Sequence, residues 1–64
     1  MKTKITRITN NSISHQFATV LLNGSPIVWI RGGCFVEMKP PFVVDNWCEI
    51  KVFPEGSVFL IEWA

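Results

Sequence analysis

Three runs of this chain are apolar on both sides of an extended strand, and that most constrains what it can fold into. In 57–63, Val58 and Leu60 fall on one side while Phe59, Ile61 and Trp63 fall on the other. In 27–31, Ile27 and Trp29 oppose Val28 and Ile30. In 16–22, Phe17 and Leu21 oppose Ala18, Val20 and Leu22. A domain of 64 residues buries only about 60% of the surface its unfolded chain exposes. It cannot cover both faces of a central sheet without helices. A tightly closed barrel absorbs part of the outer set, and the remainder is expected as an exposed apolar patch of the kind that marks protein contacts. Charged residues are 17% of the chain, against a usual share of about 25%. With 48% hydrophobic residues, intrinsic disorder is excluded.

Turn residues divide the chain into short extended runs. Residues 2–9 read as a first strand, in which Ile5 and Ile8 stand three apart, so a bulge or an early end is expected. Residues 16–22 and 27–31 follow, joined across Asn23-Gly24-Ser25-Pro26 by a hairpin. Residues 34–38 form a fourth strand, which Lys39-Pro40-Pro41 should stop because proline has no N–H to donate. Residues 42–44 read as a short edge piece, 47–53 as the fifth strand and 57–63 as the last. Such spacing predicts a single all-β domain over 1–64, a small antiparallel barrel or sandwich of five to six short strands, SH3-like or OB-like. The alternative is an α+β fold with a helix near 12–22, since Ile13, Phe17, Val20 and Leu21 also fit a helical period. The strand is preferred there because Thr19-Val20 is β-branched and Asn23-Gly24 leads into another extended run.

Charge is sorted along the chain although its sum is only +1. Residues 1–31 hold Lys2, Lys4, Arg7 and Arg31 with no acid; residues 32–64 hold Lys39 and Lys51 against Glu37, Asp45, Glu49, Glu55 and Glu62. Pairing between neighbouring strands is the simplest use of this asymmetry. Lys2, Lys4 and Arg7 are also the residues a single-stranded nucleic acid would meet on a small barrel, though no RNA-binding signature accompanies them. No run approaches the roughly 20 apolar residues of a membrane helix, and polar residues stand where a leader would be apolar. A cytoplasmic protein with no membrane contact is the expectation.

Nothing in the pattern specifies catalysis. His15 is the sole histidine, Cys34 and Cys48 lie in separate runs, and Glu37, Glu49 and Glu62 alternate with apolar neighbours as solvent-facing strand positions do. One histidine and two cysteines do not complete a zinc site; the thiols read as reduced, small core hydrophobes. Phe35, Phe42, Phe53 and Phe59 read as core. No catalytic set, cofactor or metal is expected. The reading is a non-catalytic protein-interaction module, acting as a homo-oligomer or as an inhibitor or adaptor of a larger protein. Its expected anchors are Trp29, Trp47 and Trp63, with Arg31 as the polar contact.

Overall fold

A computed structural model describes residues 3–45 and 48–64, with Thr3 described by its backbone alone. Six strands form in chain order: β1 Thr3–Asn10, β2 Phe17–Leu22, β3 Ser25–Arg31, β4 Phe35–Val44, β5 Ile50–Phe53 and β6 Phe59–Trp63. They make two three-stranded antiparallel sheets, ordered β4-β1-β6 and β3-β2-β5. The sheets are not closed into a barrel, so of the two all-β expectations the sandwich is the one this chain adopts. Hydrogen bonding explains this: β1 and β2 each sit centrally, and each sheet retains two free edges. No helix forms among the described residues; 17–22 is strand β2, whose inward Ala18, Val20 and Leu22 follow a period of two.

The core lies between the sheets. Ile5, Ile8 and Val44 from the first sheet meet Val20, Leu22 and Ile30 from the second. Ile5, Ile8 and Val20 are fully buried. The bulge expected in β1 is present: Ile5 pairs with Phe42 and Trp63, the next matched residue is Arg7, and Thr6 is left over. The Thr6 hydroxyl donates to the Glu62 carbonyl at 3.1 Å. This extra residue lets Ile5 and Ile8 both point inward although they are three apart. A second irregularity falls on β3, where Val20 pairs with Val28 but Leu21 pairs with Pro26. Ile27 is left over, so Ile27 and Val28 both pack on the core rather than opposing one another.

Two expectations about β4 and the core are corrected. Pro40 and Pro41 do not end β4, which runs from Phe35 to Val44 as one strand. Between the Ile5–Phe42 and Arg7–Glu37 pairs only Thr6 faces residues 38–41. The prolines therefore lie where β4 bows away from β1, on a sheet edge where no ladder bond is asked of them. Phe35, Phe42 and Phe53 are exposed and only Phe59 packs on the core. Cys34 is also exposed, while Cys48 is half-buried against the core; both are free thiols.

One loop contact ties the second sheet together, and one buried side chain joins the two sheets. The Asn23-Gly24 turn has φ of 51° and 81°, the left-handed pair that a two-residue hairpin requires. Asn23 then clips the approach to β5: its N–H donates to the Glu49 carbonyl at 2.8 Å, and its Oδ1 accepts from the Glu49 N–H at 2.9 Å. Gly24→Ala should cost roughly 1–2 kcal/mol through the left-handed φ alone, measured as a shift in the urea midpoint. At the other end, buried Asn10 links β1 to β3, its Nδ2 donating to the Ile30 carbonyl at 2.8 Å.

Candidate functional site

The outer face of the second sheet is aromatic and basic. Phe17, Thr19 and Leu21 alternate outward on β2, opposite the core residues Ala18, Val20 and Leu22. Register carries this face onto both neighbours. Arg31 stands opposite Phe17, Trp29 opposite Thr19, Phe53 opposite Thr19 on the other side, and Lys51 opposite Leu21. Trp29 and Phe53 are 65% and 68% exposed, the fullest exposures of any aromatic rings among the described residues. Phe17 and Trp29 stack, with ring centroids 4.0 Å apart and planes inclined by 26°.

Thr19 is the small residue between the two most exposed rings. Strands in a sheet lie about 4.8 Å apart, so Trp29 and Phe53 rise from backbones roughly 10 Å apart with the small Thr19 between them. Arg31 and Lys51 stand at opposite corners of the face. The Arg31 Nε donates to the His15 carbonyl at 3.2 Å. Lys51 meets Glu49 at 3.8 Å. Strands β2, β3 and β5 contain these two cations and no acid.

The outer face of the first sheet differs in its electrostatics. Arg7 lies between Glu37 and Glu62, 3.5 Å from each, and its guanidinium sits over the Phe35 ring at 5.1 Å. Lys39 also reaches Glu37 at 3.5 Å. The sorted charges of the two chain halves thus meet across β1, β4 and β6. All of these side chains are substantially exposed, so the cluster adds little stability. Arg7→Met should change unfolding free energy by less than about 1 kcal/mol, checked by denaturant titration.

The expected anchors do not converge. Trp29 and Arg31 share the outer face of β3, whereas Trp63 lies on β6 in the other sheet, opposite Ile5 and half-exposed. Trp47 lies outside the described residues, as does Lys2. Of the expected nucleic-acid contacts, Lys4 is exposed opposite Val43, and Arg7 is held by its two carboxylates. Phe17, Phe53 and Lys51 were absent from the expected set, yet the alternation carried them: in Ile50-Lys51-Val52-Phe53, a solvent-facing Lys51 places Phe53 on the same side.

His15 is exposed in the loop before β2. Among the described residues, no three His, Cys, Asp or Glu side chains gather as a metal-holding group. Two clefts, of about 290 Å³ beside Ser12 and Glu55 and about 210 Å³ beside Leu22 and Cys48, are open and shallow. Among the described residues no helix is long and apolar enough to cross a membrane. Compared with known proteins, the chain matches no family model, no curated sequence and no solved structure.

Proposed function

We propose that the protein is a non-catalytic interaction module that docks a larger protein on the outer face of β3-β2-β5. The reading is carried by one observation: the Phe17–Trp29 stack and Phe53 stand in solvent on one face, while the core is filled without them. Exposed tryptophan beside arginine is the composition of interface hot spots. A complementary partner presents apolar side chains to the Phe17, Trp29 and Phe53 rings, with carboxylates on either side for Arg31 and Lys51. Such a partner would be held as an inhibited or adapted protein is held, by burial of anchors rather than by reaction.

A single-stranded nucleic acid would also meet aromatics and cations here. The protein reading is favoured because apolar exposure continues on the opposite sheet, at Phe35, Val43 and Leu60, where stacking on bases has no use for it. Eleven large apolar side chains stand exposed among the described residues, more than one bound strand can cover.

The test is retention of a partner by the tagged full chain in its native host. Trp29→Ser and Phe53→Ser should each weaken retention at least tenfold, since hot-spot truncations cost roughly 2 kcal/mol or more. Arg7→Ala should leave retention unchanged. Retention indifferent to both aromatic replacements overturns the reading. So does a retained nucleic acid that is released by salt and lost with Lys4→Ala.

A further inference from the structure

Four strands of this sandwich are sheet edges, and three of them carry devices that block further pairing. β4 has Lys39, Pro40 and Pro41 in its bowed segment. β3 has Pro26 and the bulge at Ile27. β5 is only four residues long, includes Lys51 and runs into Pro54. These are the means by which sheet edges avoid joining one another. β6, Phe-Leu-Ile-Glu-Trp, has no proline, no lysine and no extra residue of its own.

The backbone of β6 shows which groups are open. The Val58 carbonyl accepts from the Asn11 N–H, and the Ala64 N–H donates to the Lys4 carbonyl. Residues 58 and 64 therefore face β1, as does Glu62, whose carbonyl takes the Thr6 hydroxyl. By alternation, the N–H and C=O groups of Phe59, Ile61 and Trp63 face away from β1. Among the described residues, no loop bonds to them.

We propose that β6 pairs antiparallel with β6 of a second copy across a two-fold axis at Ile61, joining the two β4-β1-β6 sheets into one of six strands. The sequence is self-complementary in this register. Ile61 meets its twin, and Phe59 meets the partner's Trp63, so the three open N–H and three open C=O groups of each chain all find partners. The inward side chains of Phe59, Ile61 and Trp63 then continue the core across the axis, covering the half-exposed Trp63 indole. On the outer side Leu60 meets the partner's Glu62. A register one pair along would set Glu62 against Glu62, and like charges directly opposite are unfavourable. The two-fold axis stands perpendicular to the joined sheet, so both Phe17–Trp29–Phe53 faces point the same way and the dimer is bivalent. The dimer does not depend on what those faces bind.

Sedimentation equilibrium on the full chain, from micromolar to millimolar concentration, should give a mass approaching twice 7.3 kDa. Leu60 is exposed and outside the core, so its replacement tests register without unfolding the domain. Leu60→Glu places like charges opposite one another twice and should raise the dissociation constant about tenfold, from cross-strand pair energies of roughly 0.2–1 kcal/mol per pair. Leu60→Lys places opposite charges there and should lower it. Trp63→Pro removes an outward N–H and should leave a monomer, with folding checked by circular dichroism. A wild-type chain that stays monomeric throughout overturns the proposal. So does a dimer that treats both Leu60 variants alike, or one lost with Trp29→Ser, which would place self-association on the aromatic face instead.

Discussion

Gly32→Ala should lower the melting temperature by about 12–24 °C, or leave the domain unfolded at 25 °C. The reason is a close approach between two sheet-crossing loops. A Cβ built on Gly32 would overlap the carbonyl oxygen of Ser14 and lie 2.9 Å from its carbonyl carbon and 3.1 Å from the Ser12 oxygen. These are backbone atoms, which cannot rotate aside as a side chain would. The same loop is tied down on both sides, with the Gly32 N–H donating to Gln16 at 3.0 Å and the Gly33 N–H to Asn10 at 2.7 Å. Overpacking costs about 1–3 kcal/mol where side chains can shift, so a backbone collision here should cost about 3 kcal/mol or more. In a domain of this size each kcal/mol moves the midpoint by about 4–8 °C. Gly33→Ala is the control. Its φ is +84° and nothing lies within reach of a Cβ, so it should cost only about 1–2 kcal/mol of left-handed strain. Thermal unfolding of the two variants side by side decides the matter. A Gly33→Ala loss equal to or larger than that of Gly32→Ala would mean that the loops do not touch in this way.

That contact could not be read from the sequence. Gly32-Gly33 signals a sharp bend, and both glycines look alike in that role. Only the fold shows that Gly33 needs its conformation while Gly32 needs its lack of a side chain. The legible part was the alternation. It placed Ile5 and Ile8 three apart and so pointed to a bulge or an early end, of which β1 has the bulge, at Thr6. It also placed Phe17 and Leu21 opposite the core residues of β2. The hairpin at Asn23-Gly24 was equally legible, because a two-residue turn of this kind calls for those residue types.

Where the reading failed, residue type was weighed above parity. Phe35 and Glu37 alternate on one side of β4, as do Lys51 and Phe53 on β5. A solvent-facing Glu37 or Lys51 therefore implies an exposed phenylalanine two residues away. Phenylalanine usually lies inside, and that general preference led to a larger core than the two sheets enclose. The closed barrel rested on the same assumption, since closure would have hidden some of the surplus. Instead the surplus remains outside, at Trp29, Phe53 and Leu60. The pairing of β1 with both β4 and β6 had no local signal, because it joins residues far apart along the chain. For the same reason Trp63 could not be separated from Trp29 as a candidate anchor until the sheets were seen.

Removing the Asn10 side chain should also be strongly destabilising, and a pair of variants shows why. Asn10 is fully buried at the end of β1. Its Nδ2 donates to the Ile30 carbonyl at 2.8 Å and its Oδ1 accepts from the Ser12 N–H at 3.1 Å. Asn10→Ala removes both hydrogen bonds, each worth roughly 1 kcal/mol, and opens a void at a fully buried position, so a loss of about 2–4 kcal/mol is expected. Asn10→Asp keeps the shape but replaces a donor with a carboxylate oxygen aimed at the Ile30 carbonyl, and it buries a charge without a cationic partner. Burial and that facing oxygen both raise the folded-state pKa of such a carboxyl above its unfolded value. A group raised in this way is better accommodated when protonated, so the Asn10→Asp protein should lose stability relative to wild type as pH rises through the folded value. Acidification should restore part of it, because the protonated carboxyl can again donate to Ile30. Asn10→Ala introduces no titrating group, and its deficit relative to wild type should stay constant over the same range. Urea titrations of the three proteins at pH values on either side of the carboxylate range measure both differences. Equal deficits for the two variants at every pH would show that residue 10 contributes only packing volume, and that the sheets are joined by some other contact.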